Sequence, residues 1–99
     1  MKNEPENNII GICANCSNQR RNEFQEKYPE CNLKLGDYVK IAVKDRDQVE
    51  HMWFIVQSVD GNKIIGQLDN IPVLVTNISL GDEYGFAYKN VEQLYKKEC

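Results

Sequence analysis

Beyond Gly36 the apolar side chains fall at alternate positions, whereas before Leu33 they are sparse and spaced three or four apart. In Tyr38-Val39-Lys40-Ile41-Ala42-Val43, Val39, Ile41 and Val43 alternate with Lys40 and Lys44, the pattern of a half-buried strand. The polar run Lys44-Asp45-Arg46-Asp47-Gln48-Val49 reads as an exposed loop, and His51 to Val59 as a long second strand with apolar groups on both faces. Asp60-Gly61-Asn62 is a tight hairpin signal, after which Lys63-Ile64-Ile65-Gly66-Gln67-Leu68 returns as a third strand with a bend or bulge at Gly66. Counted from that turn, the register sets Trp53 opposite Leu68 and His51 opposite Asn70. Asn70-Ile71-Pro72 then breaks the ladder before Val73-Leu74-Val75. Leu80-Gly81-Asp82 repeats Leu35-Gly36-Asp37 and leads into Glu83-Tyr84-Gly85-Phe86-Ala87, and a last short strand or turn holds Val91 and Leu94.

The N-terminal third has a different period. Phe24 and Tyr28 lie one helical turn apart behind Ser17, a good N-cap, and Pro29 stops the helix. Cys13, Cys16, Arg20, Phe24 and Tyr28 also keep a three-to-four spacing, so a start nearer Glu6 fits the pattern equally. The fold expected is α+β: an N-terminal helix followed by a five-stranded antiparallel rolled sheet or SH3-like barrel. An OB-type barrel is disfavoured, because the helix it places between its third and fourth strands has no counterpart between Asn70 and Ser79. Residues 1–32 form a helical segment packed on a β module of residues 33–95, in one domain.

Composition narrows the function classes. A chain of 99 residues with 41% hydrophobic and 27% charged side chains makes one modest core and leaves little room for a deep cleft. The net charge of -3 argues against nucleic acid, whose binders concentrate lysine and arginine. No run reaches the roughly 20 apolar residues of a bilayer span. The acidic start and the short apolar run Ile9-Ile10-Gly11-Ile12-Cys13-Ala14 do not make a signal peptide, so a cytoplasmic protein with reduced thiols is expected.

The most suggestive chemistry lies at Glu50, His51 and Trp53. Strand alternation places His51 and Trp53 on one face and Glu50 and Met52 on the other. With Asn70 and Pro72 brought alongside, His51, Trp53, Asn70 and Pro72 are the candidate ligand-binding residues. The bland counterpart is a core tryptophan and a histidine that satisfies a backbone group of the loop in the 70s. No nucleophile stands at a fixed spacing from His51, so no catalytic residue is assigned. Cys13-x-x-Cys16 with Cys31 is half of a zinc motif, and it needs a second close pair that the chain lacks. A thioredoxin-like reading fails for want of a crossover helix before Pro72. Gly36-Asp37 and Gly81-Asp82 read as turns in which each aspartate caps local amides. The function expected is therefore a non-enzymatic module, without cofactor, that binds a protein or peptide by strand addition or through the aromatics Tyr38, Trp53, Tyr84 and Phe86. The alternative is a zinc- or thiol-dependent protein acting through Cys13 and Cys16.

Glu50-His51-Met52-Trp53, followed by Asp60-Gly61, Gly66, Asn70, Pro72 and Gly81-Asp82, with Gly36-Asp37 upstream, resembles a bacterial family known as domain of unknown function 2314. The resemblance covers about Leu33 to Leu94. It implies a small α+β domain, often a stand-alone bacterial cytosolic protein, with no established reaction. Phe24 fits the helix that precedes the family's β unit, and Cys13-x-x-Cys16 lies outside its pattern.

Overall fold

Alternation and turn chemistry translate into five antiparallel strands and one helix. A computed structural model describes residues 19–76 and 78–96 of the chain. The order is α1 (Gln19–Lys27), β1 (Tyr38–Asp45), β2 (Gln48–Asp60), β3 (Lys63–Leu68), β4 (Glu83–Ala87), a 3-10 turn (Tyr88–Asn90) and β5 (Val91–Tyr95). The strands lie side by side as β4-β3-β2-β1-β5. The helix ends as Pro29 requires, the amide of Tyr28 making the last bond, to the carbonyl of Phe24. Where the helical pattern extends toward Cys13 and Cys16, it lies outside the described residues.

The sheet is rolled, not closed, because β4 and β5 share no ladder among the described residues. The roll is built into β2, whose 13 residues serve two partners. Its first part pairs with β1, its last part with β3, and only Phe54 and Ile55 pair with both. A bulge between Val56 and Ser58 marks the change of direction. Opposite it stands Gly66, where a β-carbon would lie 2.9 Å from the Phe86 ring and 3.0 Å from Cβ of Phe54. Glycine is needed there so that the Phe54 and Phe86 rings can meet, with centroids 5.3 Å apart.

Three sequence expectations need correction. Lys44 to Val49 is not a loop: β1 and β2 run on to Asp45 and Gln48, and a two-residue turn at Arg46-Asp47 joins them, with Arg46 at φ 59°. Asn and Gly usually mark such turns, and neither is present. The β2–β3 register is displaced by one residue, so that Phe54, not Trp53, faces Leu68. The two-residue turn Gly61-Asn62 and the bulge together cause the shift, and it moves Leu68 onto the core face. Tyr84 and Phe86 are buried in the core and offer no aromatic groove.

Val39, Ile41, Met52, Phe54, Val56, Ile64 and Leu68 form the concave core face. It is covered by the long β3–β4 connection, whose Val75 and Ile78 enter the core, and by Leu33. Leu35-Gly36-Asp37 and Leu80-Gly81-Asp82 are the same device used twice. Gly36 donates to the carbonyl of Val56 while the amide of Val56 donates to that of Asp37; Gly81, Leu68 and Asp82 repeat the exchange. Both glycines need the left-handed region, at φ 90° and 92°. The carboxylate of Asp37 accepts the Lys34 amide at 2.9 Å, the local cap expected of it.

Candidate binding loop and its supports

Residues 69–82 connect β3 to β4, the described residues among them without helix or strand, and side chains from other strands hold their first half. Glu50 lies on the same face of β2 as Met52 and Phe54, at the end of the core row. Its carboxylate accepts the amides of Val73 at 3.0 Å, Leu74 at 2.8 Å and Val75 at 3.2 Å. Three successive amides converging on one anion make a nest, here filled by the protein's own carboxylate. Burial pushes the Glu50 carboxyl upward, but the donations from Leu74, Val73 and Val75 outweigh it and leave the group below its ordinary value of 4.5.

One residue further on, Thr76 gives its amide and its hydroxyl to Asp45 at the end of β1, both at 2.8 Å. These two bonds, amide first, hold the Asp45 carboxyl below its ordinary 3.8 against the opposing effect of burial, with a lesser contribution from the Arg46 guanidinium. At the other end, Asn70 accepts the Trp53 amide through Oδ1, and the amide of Asp69 donates to the Trp53 carbonyl at 3.0 Å. The Asn70 side chain thus extends the β2–β3 ladder and does not close an Asx turn.

Between these fixed points the apolar side chains face solvent. Ile71 is 74% exposed, Val73 79% and Leu74 49%, with Pro72 half-buried among them. The result is an apolar knuckle on a hydrogen-bonded backbone. Residues that read as a fourth hydrophobic run, Val73-Leu74-Val75, contribute only Val75 to the core.

The four candidate residues divide between two places. Asn70 and Pro72 belong to the knuckle, while His51 and Trp53 point to the convex face of the sheet. Trp53 holds the knuckle through its backbone, and its ring lies 5.1 Å from the Lys40 ammonium across the β1–β2 ladder. His51 turns away from the loop: Nδ1 is 2.6 Å from Oε1 of Glu92, a carboxylate buried to 2% exposure. Glu92 reaches it from an irregular point in the β1–β5 ladder, where Lys40 faces Gln93 and Ile41 faces Val91. A buried carboxylate on Nδ1 fixes the ring's orientation and leaves Nε2 on the convex side. Nothing local in the sequence links residues 51 and 92. The loop amides that His51 was expected to satisfy are taken by Glu50, a residue on the opposite face.

On the far side of β5, α1 and the strand enclose a shallow groove of about 490 Å³ that includes Arg20, Phe24, Tyr28 and Leu94. Among the described residues no cluster of histidine, cysteine and carboxylate side chains is suited to a metal, and Cys31 is a free thiol packed against the core. Cys13 and Cys16 lie outside the described residues. No helix among them is long and apolar enough to cross a membrane.

Residues 32–95, which hold all five strands and the knuckle, match the family described as "Uncharacterized protein conserved in bacteria (DUF2314)". The chain belongs to that family. No curated protein and no solved structure matches it. Within this DUF2314 chain, Glu50, Trp53 and Asn70 of the sequence signature meet at the base of the knuckle, two through their side chains and one through its backbone.

Proposed function

We propose that this chain is a non-enzymatic module that recognises a protein through the knuckle at Ile71, Pro72, Val73 and Leu74. One observation carries the reading: three apolar side chains are held in water on a loop whose backbone is fixed by Glu50, Asp45 and Asn70. A connection that served only to cover the core would turn such side chains inward, as Val75 and Ile78 are turned. Fixing the loop beforehand removes the ordering cost that a flexible apolar loop would meet on binding. In this reading Asn70 and Glu50 are supports, and Ile71, Val73 and Leu74 make the contact.

The test is affinity capture from the source cell with the wild-type chain and an Ile71→Ser, Val73→Ser double variant. Both side chains are mostly exposed, so melting is expected to stay within about 2–4 °C of wild type. A protein retained by the wild type and lost by the variant is the expected result. Retention of every captured protein by the variant overturns the reading.

A further inference from the structure

The knuckle is apolar at its tip and acidic around its base. Thr76 places the loop against the β1–β2 turn, which carries Asp45 and Asp47, while Glu50 lies beneath the loop and Asp69 precedes it. Residues 45–50 and 69–76 together contain four carboxylates and a single cation, Arg46. Lys44 alternates away from Asp45 toward the convex face, and Asp69, which follows core-facing Leu68 and pairs with Trp53, points the same way, which leaves Asp45, Asp47 and Glu50 against Arg46. The bonds to Asp45 and Glu50 come from neutral amides and a hydroxyl, so both carboxylates keep their charge. Among the described residues none of the four forms an ion pair with lysine, arginine or histidine.

Resting on the knuckle as the recognition surface, we propose that its partner is a protein with an apolar pocket rimmed by lysine and arginine. Ile71, Val73 and Leu74 fill the pocket, and exposed Asp47 faces the cationic rim with the charges of Asp45 and Glu50 behind it. Apolar contact supplies the affinity, while the charges set the approach and reject acidic competitors.

The experiment is a titration of the ¹⁵N-labelled chain with three short peptides, alternating leucine with lysine, with serine and with glutamate, followed by amide chemical shifts. The expected result is that the leucine–lysine peptide shifts the amides of Ile71, Val73 and Leu74. Its affinity falls about tenfold when salt is raised well above physiological strength, and the other two peptides are at least tenfold weaker. An Asp47→Asn variant should lose part of that salt dependence, and the Ile71→Ser, Val73→Ser variant the shifts themselves. Equal, salt-independent binding of the leucine–serine peptide at the knuckle keeps the surface but overturns the cationic partner. Shifts that map elsewhere, or none with any peptide, overturn both. Shifts at the knuckle that grow with the chain's own concentration, before peptide is added, assign the surface to a second copy and overturn the proposal.

Discussion

The β2–β3 and β3–β4 connections both join neighbouring antiparallel strands, yet one uses two residues and the other fourteen. The short one is governed locally, with Gly61 at φ 63° and the flanking Asp60 and Lys63 paired. The long one is held by residues from elsewhere: Glu50 and Asp45 take its amides, Asn70 ties it to Trp53, and Val75 and Ile78 anchor it in the core. Minimal turns only reverse the chain. A connection of this length in a domain this small generally has a function, and here it presents the apolar knuckle.

Perturbing the two connections should separate local from distant control. The largest effect is expected at the buried anchor: Ile78→Ala removes apolar volume from the core and should cost about 2–5 kcal/mol. Thermal melting would show it as a loss of roughly 10 °C or more. Next comes Asn70→Ala, which leaves the Trp53 amide without its acceptor and is expected to cost about 1–3 kcal/mol in urea unfolding. Glu50→Ala should cost about 1–2 kcal/mol, the lower part of the range for bonds to charged acceptors, since the site is only half-buried. Its sharper signature is hydrogen exchange, faster at Val73, Leu74 and Val75 and unchanged in the Gly61 turn. Gly61→Ala in the short hairpin should do the reverse, costing about 1–2 kcal/mol through its left-handed backbone while the knuckle amides stay protected.

The smallest effect is expected from pH. Glu50 and Asp45 both ionise below their ordinary values of 4.5 and 3.8, so the folded chain holds them charged where the unfolded chain takes up protons. Their contribution to stability is complete above about pH 5 and fades as the pH falls through and below 4. Glu50→Gln should flatten the melting temperature over that interval, and an unchanged acid slope would exclude the carboxylate as the loop's holder.

The same contrast explains what the sequence reveals and what it conceals. The bounds of β3, the stop at Pro29 and the paired Leu-Gly-Asp turns are legible because turn chemistry and alternation act over a few residues. Arg46 hides the β1–β2 turn because it takes a positive φ without glycine or asparagine. The β2–β3 register depends on a bulge opposite Gly66; the glycine signals an irregularity there, but not that β2 carries the extra residue. Glu50 has the look of a polar strand residue until the loop, more than twenty residues on, folds over it, and its three amide bonds exist only in the tertiary structure. Likewise, the His51–Glu92 pair spans 41 residues and needs β1 lying between its two strands. Glu50, His51, Trp53 and Asn70 are recognisable as a group, while the division of labour among them is not.

The side chain of Gln25 has a consequence for neighbouring molecules. Its Nε2 donates to the carbonyls of Tyr88 and Val91 at 2.8 and 2.9 Å, at the outer margin where β5 begins. A strand margin with unclaimed carbonyls invites the backbone of another chain to continue the sheet. One carboxamide from α1 occupies the carbonyl of Val91 and shares that of Tyr88 with the Val91 amide, and Phe24 beside it packs against Tyr88. The helix therefore shields the start of this edge from pairing with another strand.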